Sequence, residues 1–186
     1  MSLTADELET RVCAPPQNIL EPWLHEGSLT MLHAERGVGK TWVCNSVALA
    51  AASGGEFLGF RAPKPRKVVI FDGEMQIYLM QERLRMLRRL FPTFDQGNLS
   101  FVLSGIQPSG LPDLGKVQSY EFYDNTIGDA DLIIIDNLSS IVRTVQSNNN
   151  DDWSVFNDWS IRVRNSGKSI LIIHHSGKSG LSLIHI

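Results

Sequence analysis

Two glycines, a lysine and a threonine stand close together in the segment AERGVGKT, residues 34–41, between two apolar runs. Glycines at positions 37 and 39 allow the backbone to curl with its N–H groups pointing inward, and a helix that begins near Lys40 adds its positive dipole end. Lys40 would reach the β- and γ-phosphates of a nucleotide, and the hydroxyl of Thr41 would hold Mg²⁺. The segment therefore predicts a site for ATP and Mg²⁺.

The predicted phosphate loop runs from the end of a strand into the first turn of a helix. Ala34 occupies the position where the motif usually has glycine, a replacement that its relaxed form allows. Arg36 either touches phosphate or faces water. The full set of predicted nucleotide-binding residues is Ala34, Glu35, Arg36, Gly37, Val38, Gly39, Lys40, Thr41 and Trp42.

A second carboxylate for the metal is expected at the end of the apolar run LIIID. Asp136 ends this run, and ligands bind at the carboxyl ends of strands in parallel sheets. This carboxylate would contact Mg²⁺ through water. The alternative is an aspartate that caps a turn after a core strand, and Asn137 is expected to cap that turn as well.

Hydrolysis also needs a residue that orients and polarises water. Glu74 follows the run VVIFD and is the candidate, although a glutamate in the first turn of a helix is also favourable beside the helix dipole. Asp72 is nearer the strand, but its side chain is shorter.

His174 and His175 end the last apolar run, next to where the γ-phosphate should lie. Because strand neighbours point to opposite faces, we expect one of these histidines to sense the γ-phosphate.

The composition is that of an ordinary globular domain. The chain has 186 residues, 42% of them hydrophobic, and this length fits one domain. Its 17 basic and 20 acidic residues give a net charge of −3, which excludes a global positive field for nucleic acid and leaves only a local patch or an oligomer's channel. Cys13 and Cys44 are expected to be free thiols. A polar amino terminus and the lack of a long apolar run predict a cytoplasmic protein without a membrane span.

Strand and helix patterns alternate along the chain. Apolar runs at residues 28–34, 68–71, 98–105, 131–141 and 169–178 alternate with helical patterns at 39–53, 77–91, 113–128 and 152–166. The last helix should turn Trp153, Phe156 and Trp159 inward. Because the strand runs are continuously apolar, they predict an α/β fold with a mostly parallel sheet covered by helices on both faces.

Five stretches in this order resemble the RecA-like AAA ATPases of the RepA type, which include plasmid replicative hexameric helicases and many phage or mobile-element ATPases. They are LHAERGVGKTWV, AAASGGEFLGF, VVIFDGEM, LIIIDNLSSI and LIIHHSGKSG, and together they span most of the chain. The resemblance implies a P-loop NTPase with a RecA-like core. It also implies hexameric rings, ATP between subunits and single-stranded DNA in the channel.

The resemblance assigns roles to individual residues. Lys40 and Thr41 would bind phosphate and Mg²⁺, and Asp136 would be the second metal carboxylate. Glu74 is similar to the family's catalytic glutamate. His175 takes the position of the polar switch residue that couples the γ-phosphate to the DNA-binding loop, with His174 beside it.

The end of the chain departs from the family pattern. The family's core continues after HHSGK with strands that carry the DNA-binding loop and an arginine that reaches the neighbour's ATP, whereas this chain ends with SGLSLIHI. We therefore expect a carboxyl-terminally truncated core that binds nucleotide and hydrolyses it slowly. The predicted organisation is a lead-in over 1–22, the ATPase domain over 23–180 and, over 181–186, an atypical tail without a counterpart in the family.

Two features leave alternatives open. The polar segment 143–152 lies where a channel loop for DNA would lie, but it offers Arg143 together with Asp151 and Asp152, so a surface loop is the other interpretation. Trp23 either stacks on adenine or fills core space.

Three functions compete. The first is a helicase or DNA-dependent ATPase of a plasmid, phage or mobile element. The second is a regulatory or recombination-accessory ATPase that acts as a switch on protein partners. The third is a small-molecule kinase, which would need a basic lid that is not seen between the last strands.

Overall fold

Strands and helices alternate along the chain in the computed structural model, which describes residues 2–92, 95–144 and 153–175. The strands are β1 (Asn18–Leu20), β2 (Leu24–His25), β3 (Leu29–Ala34), β4 (Glu56–Phe57), β5 (Phe60–Arg61), β6 (Val68–Asp72), β7 (Leu99–Leu103), β8 (Leu132–Asp136) and β9 (Ser169–His175). The α-helices are α1 (Ala5–Thr10), α2 (Lys40–Ser53), α3 (Ile77–Arg88), α4 (Tyr120–Ile127), α5 (Leu138–Ile141) and α6 (Ser154–Asn165).

The central sheet has five strands in the order β3-β9-β8-β6-β7, and every pair in it is parallel. All five strands therefore end at the same edge of the sheet. The register places Ala34 opposite His175 and Asp72 opposite Asp136. Residues that are distant in sequence thus meet at this carboxyl edge, where α/β folds bind their ligands.

Apolar side chains cover both faces of the sheet. One cluster joins the sheet to α2 and α3, and a second joins it to α4, α5 and α6. Every residue of β6 and β8 is buried, which explains why these strands are continuous apolar runs instead of alternating ones. The predicted α/β fold with helices on both sides of a mostly parallel sheet is confirmed.

The helix α2 packs against the sheet and against α3, and it begins at the phosphate loop. Its ten buried residues include a run of alanines, whose small side chains allow close packing. The helix stops at Gly54, which has φ 69°, and a Cβ there would lie 2.9 Å from Cδ of Pro65. The sequence predicted this helix over 39–53, nearly as observed.

Other predicted elements differ at their ends. The helix predicted over 113–128 is shorter, because Val117–Ser119 forms a 3₁₀ turn before α4. In α6, Phe156 and Trp159 are fully buried, while Trp153 is only partly buried against the same cluster. The last strand was predicted to continue to residue 178, and positions 176–178 lie outside the described residues.

Two short hairpins were not predicted. β1 pairs with β2, and β4 pairs with β5, both antiparallel. Strands of two or three residues are too short to show a periodic pattern. Ile19 and Leu20 of β1 are fully buried in the core beside α2.

Cys13 is exposed and Cys44 is buried, and both are free. Among the described residues, no helix combines the length and the apolar character that a membrane crossing requires. The predicted domain boundaries stay predictions, and the tail 181–186 lies outside the described residues.

Candidate nucleotide-binding and catalytic site

The phosphate loop connects the end of β3 to the start of α2. Gly37 has φ 84° and Gly39 has φ 98°, a backbone region that side-chain-bearing residues rarely adopt. A Cβ at either position would meet no atom within 4 Å, so the open space above the loop is available to a ligand. Gly39 is also the N-cap of α2, and it supplies no side-chain cap. The first N–H groups of α2 therefore lack a side-chain acceptor, as an anion site at a helix start requires.

Lys40 folds back over the loop that precedes it. Its Nζ donates hydrogen bonds to the carbonyls of Ala34 and Glu35, each at 2.6 Å, and the residue is 6% exposed. Burial lowers the pKa of Lys40, Asp136 opposes this effect and Arg36 adds to it. The ammonium group of Lys40 thus lies inside the loop, where it interacts with the carboxylate of Asp136, although the pKa of Lys40 is lowered.

Thr41 and Asp136 form the candidate metal site. Asp136 is 5% exposed, and its Oδ2 is buried without a hydrogen-bond partner among the described residues. A hydrogen bond from the Thr41 side chain reaches the same carboxyl group. The described residues contain no cluster of three or more His, Cys, Asp or Glu side chains that could hold a metal. Mg²⁺ at nucleotide sites typically takes one or two protein ligands and otherwise phosphate and water, so a hydroxyl and one unsatisfied carboxylate oxygen fit it.

The pKa of Asp136 is raised to about 6, chiefly by burial and also by the neighbouring charges of Asp72 and Glu74, against the hydrogen bond from Thr41. The unfolded-state pKa lies near 3.8, below the folded value. The favourable contribution of this group is therefore present below about pH 4 and is lost as the pH rises through about 6. At neutral pH the buried charge costs stability when no metal is bound.

We therefore expect Asp136→Asn to raise the free energy of unfolding at neutral pH by roughly 1–3 kcal/mol without metal or nucleotide, because the neutral amide removes the buried charge. The gain should vanish near about pH 4, where the carboxyl is already protonated. Chemical denaturation at both pH values measures this, with exposed Asp158→Asn as the control. Equal destabilisation at both pH values would contradict the assignment.

Glu74 and Asp72 occupy the turn after β6 but play different parts. Oδ1 of Asp72 accepts the backbone N–H groups of Glu74 at 2.9 Å and Met75 at 2.7 Å, and the residue is buried. Asp72 therefore holds the turn in shape, and this use of its oxygen argues against it as the residue that polarises water. Glu74 is exposed, and its charge raises the pKa of both Asp72 and Asp136, which places it beside the metal site.

Gly73 brings the ends of β6 and β8 together. Its N–H donates a hydrogen bond to the carbonyl of Asp136 at 3.0 Å, and a Cβ on Gly73 would lie 2.6 Å from Cβ of Ser140. Any side chain here would push the turn that carries Glu74 away from Asp136. Glycine is therefore required at position 73 because the ends of β6 and β8 approach each other closely.

The two predicted histidines have different surroundings. His174 stacks on His33 of the neighbouring strand, with ring centroids 5.5 Å apart and an interplanar angle of 23°. Burial lowers its pKa, and His33 adds to this effect. His175 lies opposite Ala34, where the phosphate loop begins, and its Nε2 is 3.0 Å from Nδ2 of Asn137. Burial lowers the pKa of His175 as well, followed by the charge of Lys40. Of the two histidines, His175 is therefore the one that contacts the end of β8, through the residue that follows Asp136.

Arg83 is a residue of this site that the sequence analysis missed. It lies on α3, nine positions after Glu74, and its guanidinium carbon is 5.2 Å from the ring centroid of Trp42 on α2. Its charge lowers the pKa of Asp72 and Asp136, although burial, which raises both, is the larger effect. The sequence spacing contained a signal for this role of Arg83. Arg83 is three residues after the buried Met80, so it lies on the flank of the helix that faces the core.

Two open alternatives can be judged from contacts. The guanidinium of Arg143 donates to the carbonyls of Ser140 at 3.3 Å and Leu111 at 2.9 Å, so it is bound to its own chain. Asp151 and Asp152 lie outside the described residues. Trp23 packs against the core and makes an edge contact with Phe60, with centroids 5.9 Å apart. Trp23 immediately precedes β2, which lies before β3 at the amino edge of the sheet, on the side opposite the phosphate loop. Trp23 therefore fills core space.

Comparisons with known proteins agree with this geometry. The family model AAA_25, an AAA domain, matches residues 1–180. No curated protein matches the chain. Among solved structures, the chain is similar to the flagellar accessory protein FlaH from Methanocaldococcus jannaschii, with a TM-score of 0.54 and 16% sequence identity. The similar part covers 84% of this chain and 64% of the FlaH chain, so this chain spans less than two thirds of FlaH.

At this identity the likeness to FlaH concerns the fold alone. The family model, in contrast, matches nearly the whole chain, and the phosphate loop lies at the carboxyl edge of a parallel sheet as such a fold requires. The chain therefore belongs to the AAA_25 family of AAA domains and has the fold of a RecA-like P-loop ATPase.

Proposed function

We propose that this protein binds ATP with Mg²⁺ and hydrolyses it, as a DNA helicase or DNA-dependent ATPase in the replication or recombination of a plasmid, phage or mobile element. One observation carries the ATPase part of the proposal. Lys40, Thr41, Asp136 and Glu74 come from three separate segments and meet beside an open glycine loop. The buried oxygen of Asp136, which lacks a hydrogen-bond partner in the part of the chain that the structure describes, supports a metal at that point.

Each residue of the site has a role in this proposal. The N–H groups at the start of α2 and the ammonium of Lys40 bind the phosphates, and Lys40 leaves its loop carbonyls to do so. Thr41 and Asp136 hold Mg²⁺, which when bound neutralises charge on the β- and γ-phosphates. Glu74, exposed at the mouth of the site, orients a water molecule and accepts its proton.

The turn that carries Glu74 is held in place by contacts on both sides. Asp72 fixes the turn that carries it through two backbone hydrogen bonds, and Gly73 ties that turn to β8. A rigid turn keeps the carboxylate at a constant distance from the metal site, which is the condition for efficient proton transfer.

The DNA and assembly parts of the proposal rest on the resemblance to RepA-type ATPases. They comprise a cytoplasmic ring of six copies with single-stranded DNA in its channel. A ring would also explain how a chain with a net charge of −3 binds nucleic acid, because a channel concentrates a local patch from every copy.

A second candidate is an ATPase that acts as a switch on protein partners. The engagement of Arg143 with its own backbone favours it, because this arginine is the basic residue that the proposed DNA loop offered. Such a switch would bind ATP, turn it over slowly and ignore DNA.

ATP turnover with and without single-stranded DNA separates these functions. We expect Mg²⁺-dependent turnover that single-stranded DNA stimulates, together with assembly in light scattering after size exclusion. Turnover that single-stranded DNA leaves unchanged would replace the helicase proposal with the switch. A protein that binds no ATP in calorimetry would overturn both.

A further inference from the structure

Asn137 connects the end of β8 to the end of β9 through its side-chain amide. Its Oδ1 accepts the backbone N–H of Ser140 at 3.1 Å, which makes Asn137 the N-cap of α5. Its Nδ2 lies 3.0 Å from Nε2 of His175. The residue itself is 2% exposed. One amide thus contacts both a helix start beside the metal carboxylate and a histidine beside the phosphate loop.

The two contacts together determine where the proton of His175 resides. A backbone N–H only donates, so the amide atom that faces Ser140 must be the oxygen. The NH₂ group then faces His175, and since it also only donates, Nε2 of the ring must accept. A neutral imidazole that accepts at Nε2 carries its proton on Nδ1.

Nδ1 of His175 is buried and has no hydrogen-bond partner among the described residues. A buried N–H without a partner is costly, which points to an acceptor that arrives with a ligand. Lys40 and Arg36 act on this ring as positive charges and Glu74 as a negative one, so an anionic acceptor would enter with two cations nearby. An oxygen of the terminal phosphate meets both conditions.

We propose that Asn137 is a positioning residue that holds His175 as its Nδ1–H form, so that His175 donates a hydrogen bond to the terminal phosphate of ATP. The role toward phosphate rests on the proposed ATPase function. The assignment also excludes His175 as the base that activates water, because the nitrogen that would accept the proton already accepts from Asn137. Proton acceptance is then left to Glu74.

The protonation state can be measured without any nucleotide. Two-bond ¹H–¹⁵N correlation spectra of histidine-labelled protein distinguish Nδ1–H from Nε2–H, and His175→Gln identifies the signals of His175. We expect the neutral Nδ1–H form in the unsubstituted protein. Asn137→Asp keeps an oxygen to cap α5 but replaces the donor with an acceptor, so Nε2 should then carry a proton. An Nε2–H ring in the unsubstituted protein, or no change in Asn137→Asp, would overturn the assignment.

Ser140→Ala is the matched control for the spectra. The side-chain amide of Asn137 is held by the backbone N–H of Ser140, which alanine retains, whereas the Ser140 hydroxyl donates to the backbone carbonyl of Asn137 at 2.8 Å. The Nδ1–H signature should therefore persist in Ser140→Ala, and its loss there would mean that the Asn137 amide is not held as described.

Nucleotide discrimination tests the donor role. Asn137→Ser retains a good N-cap without adding charge, but its side chain is too short to reach His175. We expect its preference for a non-hydrolysable ATP analogue over ADP to fall by up to about tenfold, with ADP affinity unchanged, because the lost hydrogen bond involves the terminal phosphate alone. An unchanged preference, despite an altered tautomer, would overturn the donor role. Failure of the unsubstituted protein to bind either nucleotide would reject the ATPase proposal and leave the tautomer result standing.

Discussion

Lys40→Ala is expected to lower ATP turnover by about 10³-fold or more, the largest loss that we predict for a single substitution. In the proposed site, the ammonium of Lys40 is the cation nearest the phosphates of bound ATP. Lys40 is buried, so its charge is weakly screened. The same change should weaken ATP binding by at least about tenfold, since a hydrogen bond between charged partners is lost. Steady-state turnover and titration calorimetry measure the two effects.

Stability must be measured alongside, because Lys40 also bonds the carbonyls of Ala34 and Glu35. Those bonds close the loop without nucleotide, so some loss of thermal stability is expected in Lys40→Ala. The exposed Lys116→Ala serves as the control and should behave like the unsubstituted protein. Turnover by a folded Lys40→Ala protein within about twofold of the original would refute the phosphate-loop assignment.

Glu74→Gln is expected to lower turnover by about 10²–10⁴-fold and to leave ATP binding nearly unchanged. The amide keeps the size and exposure of the side chain but no longer accepts a proton at neutral pH. Binding should persist because the phosphate and metal contacts come from Lys40, Thr41 and Asp136. Single-turnover hydrolysis, with nucleotide binding measured separately, distinguishes this outcome from a binding defect.

Glu82→Gln is the matched control for Glu74→Gln. Glu82 lies on α3 eight residues further on and forms an ion pair with Arg85, so its loss should have little effect on turnover. Asp72→Ala provides a second comparison. Alanine removes the oxygen that accepts two N–H groups of the turn, so this substitution should lower thermal stability as well as turnover. Unaltered turnover in Glu74→Gln would transfer the water-activating role to another residue.

The strands that form the site were recognisable because a buried parallel strand is a continuous apolar run. The runs that ended in Asp136 and His175 became β8 and β9, and the segment before Gly37 became β3. The phosphate loop was equally local, since its glycines, lysine and threonine are consecutive. These features depend only on residues that are close together in the sequence, so they can be predicted from the sequence pattern.

Several residues could be interpreted only in the folded protein. Arg83 could not be assigned to the site from the sequence, because Trp42, over whose ring its guanidinium lies, is 41 residues away in the chain. The choice between Asp72 and Glu74 depended on which carboxylate was already used by the backbone. Asn137 had been interpreted as a turn cap, and its second contact needed the register of β8 against β9.

The sequence by itself determined the fold class, the phosphate loop and the strand ends at which candidate residues stand, because these follow from local spacing and apolar runs. The tertiary structure alone decided which of those residues meet. Parallel pairing placed Ala34 beside His175 and Asp72 beside Asp136, and burial left one oxygen of Asp136 and one nitrogen of His175 without hydrogen-bond partners among the described residues. Hydrogen-bond satisfaction and desolvation depend on neighbours from distant segments, and only the folded chain supplies them.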